Sequence, residues 1–420
     1  MQDKKGGVLR TRFWAVLLLA MFLAIAATAL AEAPVAVPKI RTVTAFIQLD
    51  RSRYREQIEE TLIKLRQAKV AFERAGYEVQ TIRITTQPFP EYARGLSKER
   101  ALAFFRDYDA LARKEDFAAS IGPAMPSAGD DGASAELLGE ILSTTTLNGS
   151  IIVAGEDGIR WDAVRAAAHL MKYLEEHTDH SRGNFNFAAT AMLPAHAPFF
   201  PGSYHDDRGG EFAVGLQSAN VVAAAFASAA DAGAAGKALE SALGVHARTI
   251  EEVARRIEST IGWKYMGLDL SPAPLKDVSI GAAIEDLTHA RFGSSGTMNA
   301  VATITGVLRG LPVQHAGYSG LMLPILEDSV LTQRWSEGRL NVDDMLAYSA
   351  ICGTGLDTIP LPGDVTQEQL EKMIGDMATL AVKLHKPLSA RLLPVSGKKA
   401  GDRTEFDNPF LGNATLQPLP

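Results

Sequence analysis

The stretch Val43-Thr44-Ala45-Phe46-Ile47-Gln48-Leu49 is apolar and predicts a β-strand. Apolar residues then recur at helical spacing over residues 55–75, and Gly76 follows at a position where helices commonly end. Residues 79–85 predict a second strand. A strand, a helix and a strand in this order form a βαβ unit, whose two strands are parallel and whose connection is right-handed.

The alternation of strands and helices continues along the chain. Apolar runs predict further strands at residues 151–154, 184–192 and 212–216. Helices are predicted between them, with Ser97 and Thr366 as N-caps. The alanine-rich stretch 223–238 predicts a pair of helices with a hinge at residues 233–236. About ten strands in total indicate an α/β fold with a mainly parallel sheet.

Five short segments in the last third of the chain combine strand-like residues with Gly or Pro and with an acid or a hydroxyl. They lie at residues 267–274, 292–297, 317–328, 352–364 and 386–398. A structural loop needs Gly or Pro, but it does not need polar additions five times over. The pattern therefore predicts that several loops converge on one site.

The same segments carry a family resemblance. The chain resembles the bacterial and archaeal family called domain of unknown function 711, from about residue 40 to residue 413. Residues 352–364 and 390–402 are the most specific parts of the match. The resemblance implies a sheet closed into a large α/β barrel of about ten strands, related to the glycyl-radical enzymes and pyruvate formate-lyase. It implies no activity, and the closed barrel rests on the resemblance alone.

The N-terminus predicts export to the periplasm. Basic residues precede an apolar run over residues 13–30, and Ala29-Leu30-Ala31 has the small-x-small pattern of a cleavage site. Residues 1–31 are therefore predicted as a signal peptide, with an uncleaved membrane anchor as the alternative. Residues 32–39 follow as a linker, residues 40–413 as a single large α/β domain and residues 414–420 as a tail.

Charge and cysteine content narrow the classes of partner. The net charge of −7 argues against nucleic acid as a partner. Cys352 is the only cysteine, so an intrachain disulfide is impossible. The thiol is expected to be either buried or reactive. The glycyl-radical enzymes that the fold resembles carry a reactive cysteine on a loop inside the barrel, although their Arg-Val-x-Gly-Tyr signature is missing here.

Three residues are predicted as catalytic: Cys352, Glu327 and Asp357. Acids at strand ends can act as an acid, a base or ligands of a hard metal ion, which makes Glu327, Asp328 and Asp357 the metal candidates. The alternative for each acid is helix capping or turn formation. A loop around His205 and Asp207 is a further metal candidate, with a solvated loop as the favoured interpretation for Asp207.

An anion site is predicted from a loop and a strand arginine. The loop precedes a helix and combines glycines with hydroxyls, as backbone amides that bind an anion require. Its residues are Gly293, Ser294, Ser295, Gly296 and Thr297. Arg391 lies in an apolar strand, where a guanidinium must find a carboxylate or an anionic ligand. The alternatives are a well-capped helix and a structural ion pair with an acid such as Asp357.

These observations predict an exported α/β-barrel enzyme that acts on a small polar or anionic substrate in a pocket of carboxylates and glycine loops. The alternative is a periplasmic protein that binds a small ligand without catalysis, and a structural or assembly role is the third. The expected partner is a small molecule. No nucleic acid, and no membrane span after cleavage, is expected. No cofactor or oligomeric state is indicated.

We predict that Cys352 is shielded in the native protein, because an exposed lone thiol in an oxidising compartment would be oxidised. A thiol reagent should label it slowly in the native state and fast after denaturation, which mass spectrometry can follow. Fast labelling of native protein would contradict burial and would assign the thiol a reactive role.

Overall fold

The computed structural model describes residues 36–227 and 229–419 of the chain. Ten strands in these residues form one sheet. The strands are β1 (Lys39–Ile47), β2 (Val79–Thr86), β3 (Ala118–Pro123), β4 (Asn148–Gly155), β5 (Gly158–Ile159), β6 (Phe187–Ala191), β7 (Gly209–Gln217), β8 (Lys264–Asp269), β9 (Gly355–Pro362) and β10 (Leu388–Val395).

Twelve α-helices connect these strands within the described residues. They are α1 (Tyr54–Arg74), α2 (Phe89–Ala93), α3 (Lys98–Glu115), α4 (Ala133–Thr144), α5 (Trp161–His177), α6 (Ala219–Ala227), α7 (Ala232–Ile261), α8 (Ile280–Thr288), α9 (Thr297–Gly310), α10 (Ser329–Ser336), α11 (Val342–Ser349) and α12 (Gln367–Leu384). A 3₁₀ segment, Asp179–Asn186, precedes β6. The predicted mixed α/β fold with a mainly parallel sheet is confirmed.

The sheet has the strand order β8-β7-β1-β2-β3-β4-β6-β10-β9, with the short β5 paired to β4. Strands β1, β2, β3, β4 and β6 are parallel to one another and form a central block. The pairs β7–β8 and β9–β10 are each parallel within themselves. They join the block through the antiparallel contacts β1–β7 and β6–β10, so both pairs run opposite to it.

The predicted closure of the sheet into a barrel is not confirmed, because β8 and β9 remain the two ends of the strand order. An irregular stretch, residues 313–328, reaches both ends. The Leu268 N–H of β8 donates to the Gln314 carbonyl at 2.8 Å, and the Ile325 N–H donates to the Asp357 carbonyl of β9 at 3.0 Å. This stretch, which we call the bridging segment, therefore covers backbone groups of both edge strands.

The two faces of the central strands differ in chemistry. In β2, Ile82 and Ile84 alternate with Thr81, Arg83 and Thr85, so apolar and polar side chains point to opposite faces. Helix α1 packs against β1 and β2. The opposite face carries the buried polar side chains, and we call it the polar face.

A loop, residues 193–207, lies on the polar face, and we call it the inner loop. Thr44 of β1 donates a hydrogen bond to the Pro198 carbonyl at 3.0 Å. Thr85 of β2 and the Ser203 hydroxyl share a hydrogen bond of 2.7 Å, and Ser120 of β3 donates to the Ser203 carbonyl at 3.0 Å. Ser203 is fully buried. The strand hydroxyls therefore replace the water that the loop backbone would otherwise need.

The local signals of helix ends were mostly correct. Ser97 and Thr366 cap their helices as predicted, and each accepts a hydrogen bond from a backbone N–H. The predicted hinge at residues 233–236 is wrong, because α7 starts at Ala232 and runs through it. Asp231 caps this helix by accepting from the Ala234 N–H at 2.8 Å, which places the break before the glycines.

The predicted signal peptide, residues 1–31, lies outside the described residues. In the residues that are described, no helix combines the length and the apolar character needed to cross a membrane. The boundaries predicted for the linker, the domain and the tail stay predictions.

We predict that Thr85→Val destabilises the protein by about 1–3 kcal/mol, because it leaves the buried Ser203 hydroxyl without its partner. The double variant Thr85→Val/Ser203→Ala removes both hydroxyls and should recover most of this loss. Urea unfolding measures the free energy of unfolding of the single and double variants. A double variant that is as unstable as the sum of the two single variants would show that the hydroxyls do not interact.

Candidate functional site

A cavity of about 280 Å³ lies on the polar face. Strand residues, the inner loop and the bridging segment all contribute to its wall. The wall includes Arg41, Thr81, Arg83, Ala118, Asn148, Phe185, Phe199, Phe200, Ala273, Pro274, Tyr318, Met322, Glu327, Thr354, Asp357, Ser389, Arg391 and Phe410. It combines several aromatic rings with three arginines and two acids.

Arg391 of β10 joins the two acids of the cavity. Its Nε donates to Asp357 Oδ1 of β9 at 2.8 Å, and its Nη2 lies 2.5 Å from Glu327 Oε1 of the bridging segment. The guanidinium also lies over the Phe185 ring at 5.0 Å. The pairing of β10 with β9 is interrupted at this arginine, and such interruptions can redirect a side chain.

Burial and ion pairing shift the pKa values of Arg391 and Glu327 in opposite directions. Burial opposes the charge of Arg391, but Asp357 and Glu327 together raise its pKa above the ordinary value. Burial also raises the pKa of Glu327, while Arg391 acts in the opposite direction. Arg391 is therefore a buried cation held between two buried carboxylates.

Arg83 and Arg41 line the same cavity without such pairing. Among the described residues, no carboxylate oxygen lies within 4.0 Å of either guanidinium. Arg83 donates to Thr81 Oγ1 at 3.3 Å and lies over the Phe200 ring at 4.8 Å. Burial lowers the pKa of Arg83 to about 9, and the charge of Arg41 adds to the shift, while the more distant carboxylate of Glu327 opposes it. Arg83 therefore still carries its charge at neutral pH.

Arg41 has a similar environment at an irregular point of β1. Its Nη1 donates to Gln80 Oε1 at 3.3 Å, and its guanidinium lies over the Phe410 ring at 5.5 Å. The β1–β7 register shifts between Ile40 and Thr42, so Arg41 also occupies a bulge. Burial lowers its pKa, and Glu327 opposes this shift. With three guanidinium groups and two carboxylates, the wall carries an excess of positive charge.

The comparison with protein families places the chain. A family described as "Uncharacterised ACR (DUF711)" matches residues 36–408.

The chain belongs to the DUF711 family.

Relatives in archaea and bacteria support this placement. A UPF0210 protein of Pyrobaculum aerophilum is 34% identical over 378 residues, which cover 84% of this chain and 81% of the relative. A UPF0210 protein of Syntrophobacter fumaroxidans is 28% identical over 410 residues, with 90% of each chain covered. One from Methanocaldococcus jannaschii is 26% identical over 275 residues, which are 63% of this chain and 60% of the relative.

The predicted function is wrong. The family is described as uncharacterised, and the names of its members indicate neither export nor a bound ligand. An exported enzyme and its alternative, a periplasmic binding protein, therefore find no support in the match. The predicted pocket of carboxylates and glycine loops is also divided in the structure of this DUF711 chain, because residues 293–297 do not line the cavity that holds Glu327 and Asp357.

Four of the five polar segments reach the cavity. Segment 267–274 contributes Ala273, segment 317–328 contributes Glu327, segment 352–364 contributes Asp357 and segment 386–398 contributes Arg391. The fifth segment, 292–297, lies at the start of α9, and its polar groups hydrogen-bond to one another. In that segment the Gly293 N–H donates to Thr297 Oγ1 at 3.2 Å, and the Thr297 N–H donates to the Ser294 carbonyl.

Two further predicted residues lie away from the cavity wall. Asp328 caps α10, and its carboxylate also accepts from the Ser279 hydroxyl and the Ile280 N–H. The predicted metal set of Glu327, Asp328 and Asp357 therefore does not come together. Cys352 is fully buried outside the wall, and its carbonyl accepts a hydrogen bond from Lys386. The catalytic roles of Cys352, Glu327 and Asp357 stay predictions.

Arg41 and Arg83 are the cavity residues that the sequence analysis missed. Arg83 stands between Ile82 and Ile84 in a predicted strand, so it has the same need for an anionic partner as Arg391. The predicted acids were expected at strand ends. The cavity is lined by the amino-terminal halves of β2, β3 and β4, through residues such as Thr81, Ala118 and Asn148.

We predict that Arg391→Gln destabilises the protein by about 3–5 kcal/mol at pH 8, because two buried carboxylates would lose their cation. The pKa of Glu327, already raised by burial, would rise further. A carboxyl whose pKa is higher in the folded than in the unfolded state gains relative stability as the pH falls. The loss should therefore shrink at pH 5, which urea unfolding at both pH values measures.

Arg334→Gln is the matched control for this experiment. Arg334 is as buried as Arg391, but its partners Glu285 and Glu337 are 19% and 28% exposed. Water can solvate these acids after the substitution, so the loss should be smaller and should depend less on pH. Equal losses for Arg391→Gln at pH 5 and pH 8 would contradict the proposed balance of charge.

Proposed function

We propose that the cavity binds a small organic molecule that carries one carboxylate group. The observation that supports this proposal is Arg83, a buried guanidinium with no carboxylate beside it. A buried charge without a counter-charge is costly, and arginine keeps its proton at neutral pH. An anionic group of a ligand is the partner that the wall of the cavity lacks.

The chemistry of the wall favours a carboxylate with an apolar body. Guanidinium groups bind carboxylates through two parallel hydrogen bonds, and Arg83 and Arg41 both face the cavity. Phe199, Phe200 and Phe410 offer ring surfaces for the rest of the ligand. The volume of about 280 Å³ is near the lower end of small-molecule sites, which span about 300–1,000 Å³.

The balance of charge limits the ligand to a low negative charge. Asp357 and Glu327 are already paired with Arg391, and they would repel a second anionic group near it. A monoanion placed at Arg83 and Arg41 leaves this ion cluster intact. In this proposal Glu327 and Asp357 hold Arg391 in position, and no reaction is assigned to them.

A wider depression of about 860 Å³ provides the entrance in this proposal. It shares Thr146, Phe185, Asn186 and Phe410 with the cavity wall, so the two spaces adjoin. Residues 406–411 of the C-terminal segment form one side of this depression, among them Phe406, Asp407 and Asn408.

We also propose that the fold is related to the closed barrels of the glycyl-radical enzymes. Support comes from the two directions of strands in the sheet and from the bridging segment, which hydrogen-bonds to both β8 and β9. The relation extends to architecture only. No radical chemistry is proposed, because the Arg-Val-x-Gly-Tyr signature is missing from the sequence.

Benzoate is a suitable probe, because it joins one carboxylate to a flat apolar ring. We predict that it binds in chloride-free buffer and that the neutral analogue benzamide binds more weakly. Arg83→Gln should weaken benzoate binding about 10- to 100-fold, since hydrogen bonds to a charged group contribute about 1.5–3 kcal/mol. Isothermal titration calorimetry measures each affinity.

Arg334→Gln provides the control for this test as well, because it removes an equally buried arginine that does not line the cavity. It should leave benzoate binding unchanged, and circular dichroism should show both variants folded. Binding of benzoate and benzamide with equal affinity, or equal effects of the two substitutions, would contradict a carboxylate site at Arg83.

A further inference from the structure

A second group of polar side chains lies where the inner loop returns to the sheet. His196 and Asp207 belong to the two ends of the inner loop, and Glu211 lies in β7. One ligand atom from each of the three lies within 4.8 Å of the others. None of the three lines the arginine cavity. We call them the His–Asp–Glu cluster.

We propose that the His–Asp–Glu cluster binds a divalent transition-metal ion such as Zn²⁺ through His196 Nε2 and the carboxylates of Asp207 and Glu211. This proposal does not depend on the carboxylate ligand proposed for the arginine cavity, because the two sites share no residue.

Two buried atoms of the cluster lack hydrogen-bond partners. His196 is only 8% exposed, and its Nε2 is buried without a hydrogen bond. This nitrogen lies 3.1 Å from Asp207 Oδ2, but the two are not aligned as a hydrogen bond requires. Glu211 Oε2 is likewise buried and accepts no hydrogen bond. Buried polar atoms are rarely left unpaired, and one cation would serve all three groups.

The surroundings hold the cluster in this arrangement. Asp207 Oδ1 accepts from the Gly209 N–H at 3.2 Å and lies 3.2 Å from His205 Nδ1. His205 is fully buried, and its Nε2 donates to the Ile47 carbonyl of β1 at 2.7 Å, which orients the ring. The Phe46 ring packs edge-on against His196 at 4.9 Å. His205 is therefore a positioning residue that contacts Oδ1 of Asp207, whereas His196 faces Oδ2.

The donor set selects the class of metal. One imidazole nitrogen with two carboxylates suits Zn²⁺, Mn²⁺ or Fe²⁺, whereas Ca²⁺ takes six to eight oxygen ligands. The side chain of Asp207 is 41% exposed, so one side of the cluster is open to water. Three protein ligands with an open position are typical of zinc sites that bind a further water molecule or a substrate.

The test uses the full chain, freed of metal by chelation and titrated with Zn²⁺ by calorimetry. We expect one ion per chain, with His196→Gln and Glu211→Gln each weakening the affinity at least 100-fold. His205→Gln should weaken it about 10- to 100-fold, as expected of a group that orients a ligand. Addition of Co²⁺ should give a visible absorption band that His196→Gln abolishes, and Ca²⁺ should not compete.

His315→Gln is the matched control, because His315 is a part-buried histidine outside the cluster that hydrogen-bonds the Leu311 carbonyl. It should keep the affinity of the unmodified protein. Zn²⁺ binding that is equally strong in His196→Gln, Glu211→Gln and His315→Gln would overturn the proposal, and so would the absence of stoichiometric binding to the folded protein. Circular dichroism separates loss of metal from loss of fold, and Glu211→Gln gives a nearly isosteric variant for this purpose.

Discussion

Buried polar side chains on one face of the sheet are the constraint on which the rest of this structure depends. Thr44, Thr85 and Ser120 point away from the helices and are fully buried, so each needs a hydrogen-bond partner. The inner loop supplies these partners through the carbonyl of Pro198 and through the hydroxyl and carbonyl of Ser203. An apolar face would pack against helices, whereas this face binds a loop. The loop in turn forms part of the cavity wall.

The three arginines of the cavity differ in whether a carboxylate lies beside them. Arg391 has two carboxylate partners and links β10, β9 and the bridging segment, so its charge stabilises the contact between these elements. Arg83 is as buried but rests on a threonine hydroxyl and an aromatic ring. Burial of a guanidinium without an adjacent carboxylate is unfavourable, and this cost is the basis of the ligand proposed for the cavity. The paired arginine explains stability and the unpaired one suggests binding.

The inner loop connects two chemically different places. Its middle contributes Phe199 and Phe200 to the arginine cavity, and its ends contribute His196 and Asp207 to the His–Asp–Glu cluster. Strand β1 also contributes to both places. Arg41, near its start, lines the cavity, and Ile47, at its end, is the partner of His205. At about 3.3 Å per residue, these two positions are about 20 Å apart. The two sites are therefore separate, although one loop serves both.

The sequence by itself determined the α/β class, the helix caps at Ser97 and Thr366, the family, and the convergence of four polar segments that include Glu327, Asp357 and Arg391. These follow from local periodicity, from hydrogen bonds within a few residues, and from the need of a strand arginine for an acid. Only the tertiary structure decided that Asp328 is a cap, that Arg41 and Arg83 share the cavity, and that His196 and Glu211 meet Asp207. Periodicity shows which side chains are buried but not what lies opposite them, because strand order and direction bring distant residues together.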